Sequence, residues 1–161
     1  MSEPQIYRAL KADHDKQRSM LQQLSDQNGD TQERRALFEQ FRLELQSHAA
    51  AEEESLYAVM LANPDLRDDA RHSVSEHKEV DDLLGELMDL PFGSTRWEER
   101  FAHMRHRYEH HIDEEEEDMF PAADQELDDA TEARMADTYE ERKPAELEIA
   151  RDHPPGSDER D

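Results

Sequence analysis

With 43 aspartates and glutamates against 19 lysines and arginines, the 161-residue chain carries a formal net charge of −24, which argues against nucleic acid and anionic membranes as partners because like charges repel. The absence of cysteine excludes disulfides, thiolate ligands and a cysteine nucleophile. Hydrophobic residues make up only 34% and charged residues 39%, a balance that suits long amphipathic helices with wet outer faces around one bundle-sized core. No apolar run approaches the ~18–20 residues of a membrane span, and the first residues lack a signal-peptide core, so a soluble cytoplasmic protein is the expectation.

The first helix is predicted from Ser2 or Glu3 to about Gln27, with Pro4 in its first turn and Tyr7, Leu10, His14, Leu21 and Leu24 along one face. The Asn28-Gly29 step stops it. Asp30 and Glu33 read as a capping box for a second helix, which carries Phe38, Phe41, Leu45, His48, Glu52, Leu56 and Val59 inward as far as Ala62. Asn63-Pro64 is a break. A third helix is expected over about 65–89 with Ala70, Val74, His77, Val80, Leu84 and Leu87 inward. The stretch Leu90-Pro91-Phe92-Gly93 is a turn, followed by a capping box at Thr95 and Glu98. The fourth helix runs from about Arg96 to Gln125 with Phe101, Met104, Tyr108, His111, Glu115, Met119 and Ala122 inward, and Pro121 is expected to kink it.

Residues 128–150 are expected to form a helical extension, interrupted at Pro144 and packed outside the bundle or frayed, and residues 151–161 a disordered tail. No strand pattern occurs. The fold expected is all-α: an up-down-up-down four-helix bundle over residues 1–127, built from an internal hairpin duplication, plus the C-terminal extension.

The duplication is explicit in the spacing. His14 precedes His48 by 34 residues and His77 precedes His111 by the same 34; His14 and His77, His48 and His111, and Glu52 and Glu115 all stand 63 residues apart. On a helix, residues four apart share a face with Cβ atoms about 5–6 Å apart, so His48 with Glu52, and His111 with Glu115, each offer one imidazole and one carboxylate to a common point. All six fall within the apolar stripe of their helix. A carboxylate among Phe, Leu and Met is costly unless neutralised, paired or bound to a metal, and bundle metal sites are built from inward side chains on facing helices. Four imidazoles and two carboxylates without sulfur suit iron, manganese or zinc. The pseudo-twofold pattern implies two metals, one on His14 and His48, the other on His77 and His111, with Glu52 and Glu115 bridging. The bland alternative for any one such histidine is a hydrogen-bonded core residue.

These six positions, together with the Leu56-Tyr57 and Met119-Phe120-Pro121 hydrophobics that follow each H-x3-E, resemble the hemerythrin-like, or HHE cation-binding, family of four-helix bundles over roughly residues 6–125. The resemblance implies an oxo- or hydroxo-bridged non-haem diiron centre of two iron ions, manganese or zinc being the lesser substitutes. It also implies small exogenous ligands such as dioxygen, peroxide or nitric oxide. Oxygen-carrying members place a further histidine one turn before the third-helix ligand. Here that position is Ser73, and His72 points elsewhere, so an open coordination position and iron or oxidant handling are expected rather than simple oxygen carriage.

Around the six, Glu53 and Glu114 stand at the edge of the inner face, Glu54, Glu116 and Glu117 read as a solvated face, and Asp118 is a candidate for indirect support. His106, His110 and the borderline His103 read as surface, and Tyr7 and Tyr108 as core filler. Three functions compete: a diiron protein handling dioxygen, peroxide, nitric oxide or iron; an enzyme disproportionating peroxide or oxidising ferrous iron; and a metal-free helical interaction protein. The paired E-x-x-H spacing of ferritin-type oxidases is absent. Oligomeric state is not encoded in any pattern found.

Overall fold

The computed structural model describes residues 3–156, and within them the chain is helical with no strand. Its elements are α1 (Gln5–Asp26), α2 (Gln32–Glu52), a π-helical turn (Glu53–Tyr57), α3 (Ala58–Ala62), α4 (Arg67–Asp89), α5 (Thr95–Glu114), a second π-helical turn (Glu115–Met119), α6 (Phe120–Glu126) and α7 (Asp129–Asp152). The helical path is unbroken from α2 through α3 and from α5 through α6, so each π turn is a local widening of a long rod at a residue of the histidine–glutamate motif. α1 packs on α2 and α5, and α4 packs on α5 and α2. No described helix is long and apolar enough to cross a membrane.

The helix starts lie one to three residues from the expected ones: α1 begins at Gln5 rather than Ser2 or Glu3, and α4 at Arg67 rather than about residue 65. Pro4 precedes α1 as its cap. Thr31, not Asp30, caps α2 by accepting from the Arg34 N–H at 3.1 Å, and Ser94, not Thr95, caps α5 by accepting from Trp97 at 3.2 Å. Asp30 is drawn off to Arg35, and Glu98 to the fully buried Arg34. The true caps are themselves 63 residues apart. Pro121 lies in the first turn of α6, directly after the second π turn; the departure from α geometry precedes it, and the equivalent turn at Glu53–Tyr57 forms with no proline.

Buried apolar side chains fall into two clusters. One gathers Leu21, Leu24, Phe41, Leu84, Trp97 and Phe101, and the other Ile6, Leu10, Leu56, Met60, Phe120 and Met135. Beyond the first cluster, the turns at Gly29 and Gly93 meet: both have φ near +70°, and a Cβ on Gly93 would come within 2.5 Å of the Gly29 backbone, so the contact requires glycine.

The C-terminal extension departs most from expectation. α7 continues without the expected interruption through Pro144, and of the two arrangements expected, packed or frayed, it takes the packed one, along α2 and α1. Arg142 pairs with Glu54 and Lys143 with Asp13 and Glu44, which ties down the turn where the proline removes one backbone bond. Order extends past residue 150 as well. Pro155 is buried, and the Gly156 N–H donates to Asp81 at 2.8 Å. Residues 157–161 of the expected tail lie outside the described residues.

Candidate metal centre

The six predicted residues meet in one space. His14 lies mid-way along α1, His77 mid-way along α4, and His48 and His111 one turn before the two π turns; Glu52 ends α2 and Glu115 opens the second π turn. All six are buried. The rings pair by half: His14 and His48 have centroids 5.0 Å apart at 65°, and His77 and His111 4.8 Å apart at 71°. Glu52 joins the halves, with Oε1 3.7 Å from His48 Nε2 and 3.2 Å from His77 Nε2. Glu115 does the same from the other side, 2.8 Å from His111 Nε2 and 4.0 Å from His14 Nε2.

The outer nitrogens are held by a second set of carboxylates that the sequence reading did not single out as a group. Glu116 takes His14 Nδ1 at 2.7 Å and Glu76 takes His111 Nδ1 at 2.8 Å. Asp13 lies 3.4 Å from His48 Nδ1, whereas Glu53, 3.6 Å from His77 Nδ1, is within ion-pair but not hydrogen-bond reach, and that nitrogen makes no hydrogen bond among the described residues. This ring also obeys the repeat, since Asp13 and Glu76, and Glu53 and Glu116, stand 63 residues apart. The signal was an acid directly before each first-helix histidine and directly after each buried glutamate. Glu116, expected on a solvated face, is therefore a support for His14. An ionised carboxylate can only accept, so a bond at Nδ1 fixes the proton there and turns the Nε2 lone pair inward.

α7 completes the first half. Tyr139 Oη lies 2.7 Å from His48 Nδ1 and donates a short bond to Asp13, which Lys143 also holds at 2.8 Å. With its own proton given to Asp13, Tyr139 accepts from His48. The opposite half instead receives Tyr57, whose hydroxyl donates to Glu52 at 3.0 Å and lies 3.3 Å from His77 Nε2.

Electrostatically the site is unbalanced as it stands. Burial, then the charge of Glu115, raises the Glu52 carboxyl. Burial also pushes Glu115 upward, but His111 outweighs it and holds this carboxyl low. His111 is pushed up to about 10 against its burial, chiefly by Glu115, and His77 to about 9 by Glu52 and Glu53.

Other expectations resolve by position. Ser73 is buried and donates to Met119 Sδ at 3.7 Å, leaving a cleft of about 50 Å³ between it, His111 and Glu115. His103, His106 and Asp118 are exposed. His72, His110 and Glu114 group outside the six, with His72 3.5 Å from Glu114. Tyr7 turns away to Glu132 at 2.6 Å, and Tyr108 donates to Gln17.

A cation fits this donor set on the structure's own terms. The Nε2 atoms of His14, His48 and His111, Oε2 of Glu52 and both Oε atoms of Glu115 are buried and make no hydrogen bond among the described residues; His111 Nε2 lies close to Glu115 but out of line. Native proteins leave few buried polar atoms unpaired, and here they share one chamber. Glu52, His77, His111 and Glu115 on one side, and His14, His48 and Glu52 on the other, each bring ligand atoms within 4.8 Å of one another.

Comparison with known proteins agrees. Residues 5–123 match the family model described as the hemerythrin HHE cation binding domain. The chain is similar to the uncharacterized protein Rv2633c of Mycobacterium tuberculosis and to the uncharacterized protein Mb2666c of Mycobacterium bovis, 28% identical to each over 116 residues, which covers 72% of this chain and 70% of each relative. Among solved structures it is similar to the hemerythrin HHE cation binding domain-containing Rv2633c homolog from Mycobacterium kansasii, with TM-score 0.78, 27% identity, and coverage of 89% of this chain and 88% of that one.

Proposed function

The chain belongs to the hemerythrin HHE cation-binding domain family, and from that premise we propose that it is a non-haem diiron protein whose centre is held by His14, His48, Glu52, His77, His111 and Glu115. The observation that carries the reading is the chamber of unpartnered imidazole nitrogens and carboxylate oxygens, each half backed by its own outer carboxylates. A metal-free interaction protein would leave those atoms buried and unpaired, at a cost of about 1–3 kcal/mol each. The recurrence of all six at one offset supports a bundle made from a duplicated up-down hairpin, with α7 laid over the first half.

Iron ions bound there supply the one-electron chemistry through which dioxygen, peroxide or nitric oxide is taken up. The residues of the chain set the terms of that uptake. Outer carboxylates hold the imidazoles of His14, His48 and His111 in the ligand tautomer, Glu52 and Glu115 span the two halves, and apolar clusters exclude water on both sides. The Tyr57 hydroxyl, donating to Glu52 beside His77, places a proton donor at the edge of the chamber. Ser73 keeps small the one side chain through which a fifth nitrogen ligand would otherwise come, and the cleft beneath it reaches Glu115.

Elemental analysis and the absorption spectrum of aerobically purified protein test the reading. Two irons per chain with near-ultraviolet ferric bands support it; an iron-supplemented preparation without metal, or with zinc alone, overturns it. The same cleft favours a second reading, disproportionation of peroxide. Oxygen release from peroxide by the iron-loaded protein, lost in His111→Ala, would establish that activity, and its absence would leave binding or iron handling.

A further inference from the structure

We propose a third cation site, at the surface opening of the Ser73 cleft, through which divalent metal reaches the inner centre. His72, Glu76 and Glu114 bring ligand atoms within 4.8 Å of one another. His72 Nε2 lies 3.4 Å from Glu76 and 3.5 Å from Glu114, and His110 Nε2 lies 3.2 Å from the other oxygen of Glu114. His72 is exposed and Glu114 partly so, whereas Glu76 is nearly enclosed. The cluster therefore has an outer rim and an inner member.

An acidic group on the surface of so acidic a protein is ordinarily a solvated face. Two independent observations separate this one. First, the three residues line the same cleft as Glu115 and His111, both about 1% exposed with inward atoms that make no hydrogen bond. Its volume of about 50 Å³ exceeds the ~10–15 Å³ that one water-sized occupant needs. Glu76 touches both ends, since its Oε1 also accepts from His111 Nδ1, so the inner member of the outer cluster already holds an inner ligand.

Second, the repeat supplies a control within the chain. At the 63-residue offset, Glu76 answers to Asp13, but His72, Glu114 and His110 answer to Ala9, Ala51 and Ser47, and Ser73 to Leu10. The first half keeps the support for its histidine and has none of the outer ligands. That flank is covered by α7, with Ala136 and Tyr139 packed into the cluster that holds Ala9 and Ala51. The positions of His72, Glu114 and His110 thus carry donors only at the half left uncovered; at the closed half Asp13, Glu44 and His48 also converge, but there Lys143 from α7 pairs with both carboxylates. Imidazole and carboxylate donors select a divalent first-row cation, and like-signed walls raise its local concentration.

This inference rests on the inner centre proposed above, and the test separates the two. Iron-loaded protein, its inner ions first counted by elemental analysis, is dialysed against Zn²⁺. The wild type is expected to hold one zinc more than the His72→Ala/Glu114→Ala double variant, and the exposed control His103→Ala to match the wild type. That difference reads the outer site whatever the inner count. In a second measurement, chelator-stripped protein is refilled with Fe²⁺ without oxygen; the double variant is expected to fill its inner centre about tenfold more slowly, to the same inner count as the wild type. Equal zinc in wild type and double variant, or equal refilling rates, overturns the proposal, whereas an inner count of zero overturns the diiron reading.

Discussion

The hydroxyl of Tyr139 lies 2.7 Å from Nδ1 of His48, so a helix outside the 63-residue repeat braces one of the four inward histidines. Groups that orient a metal-bound histidine contribute about 10–100-fold to metal affinity. Tyr139→Phe should therefore release one ion per chain faster than the other in a chelator competition followed by absorbance, with the loss in the lower part of that range because Asp13 remains nearby.

Glu76→Gln should weaken the other half in the same way. A neutral amide still accepts from His111 but no longer carries the charge that favours the inward lone pair, so about a tenfold loss of affinity is expected. Isothermal titration of metal into stripped wild-type and variant protein measures it; an unchanged constant would show that the outer carboxylate ring is decorative.

Glu52 gives an effect of opposite sign in the two states. Without cations, its burial beside Glu115 raises its carboxyl, and Glu52→Gln should leave the stripped protein as stable as before or up to about 1–2 kcal/mol more so. With cations, losing the anionic bridge should lower affinity sharply. Thermal unfolding with and without metal checks both halves of the statement.

Metal binding to the folded state alone stabilises by about 2.7 kcal/mol at a hundredfold excess over Kd. At about 2–4 °C per kcal/mol for a chain of this size, stripping with chelator should lower Tm by about 5–10 °C. A Tm indifferent to chelator would remove the coupling between centre and fold.

Away from the centre, Glu132 sets a pH dependence. Burial, then Asp124, pushes its carboxyl up to about 7 against the bond from Tyr7. Between the ordinary value of 4.5 and about 7, the folded state holds a proton that the unfolded state has released, so stability falls as pH rises through that window. Glu132→Gln, which can still accept from Tyr7, should raise Tm at pH 8 and leave it unchanged at pH 4.5, as read by differential scanning calorimetry.

Four of the six central residues were legible because two independent rules, the four-residue helical step and the 63-residue offset, selected the same side chains, and His14 and His77 followed from the offset and the apolar stripe of their helices. The outer carboxylates obeyed the second rule as well. A wheel at 100° per residue nevertheless sent Glu116 to solvent, because it was carried straight through a stretch that winds as a π turn. The caps were misplaced by one residue at Asp30 and Thr95, although Thr31 and Ser94 alone keep the offset. α7 was the part least visible. It has no copy in the chain, its proline reads as a break, and its role depends on Tyr139 and Lys143 reaching partners 91 to 130 residues away.

In α1, α2 and α4 the inward histidine marks the point where one apolar cluster stops and the other takes over, and in α5 the change comes one residue after His111, at Ile112. The interior is thus two hydrophobic blocks meeting along a polar seam, and the ions proposed for that seam would act as its weld. With the weld absent, only the four helices that cross the seam couple the block beside the paired glycine turns to the block under α7, and heating should give a broader transition than that of the metal-loaded protein.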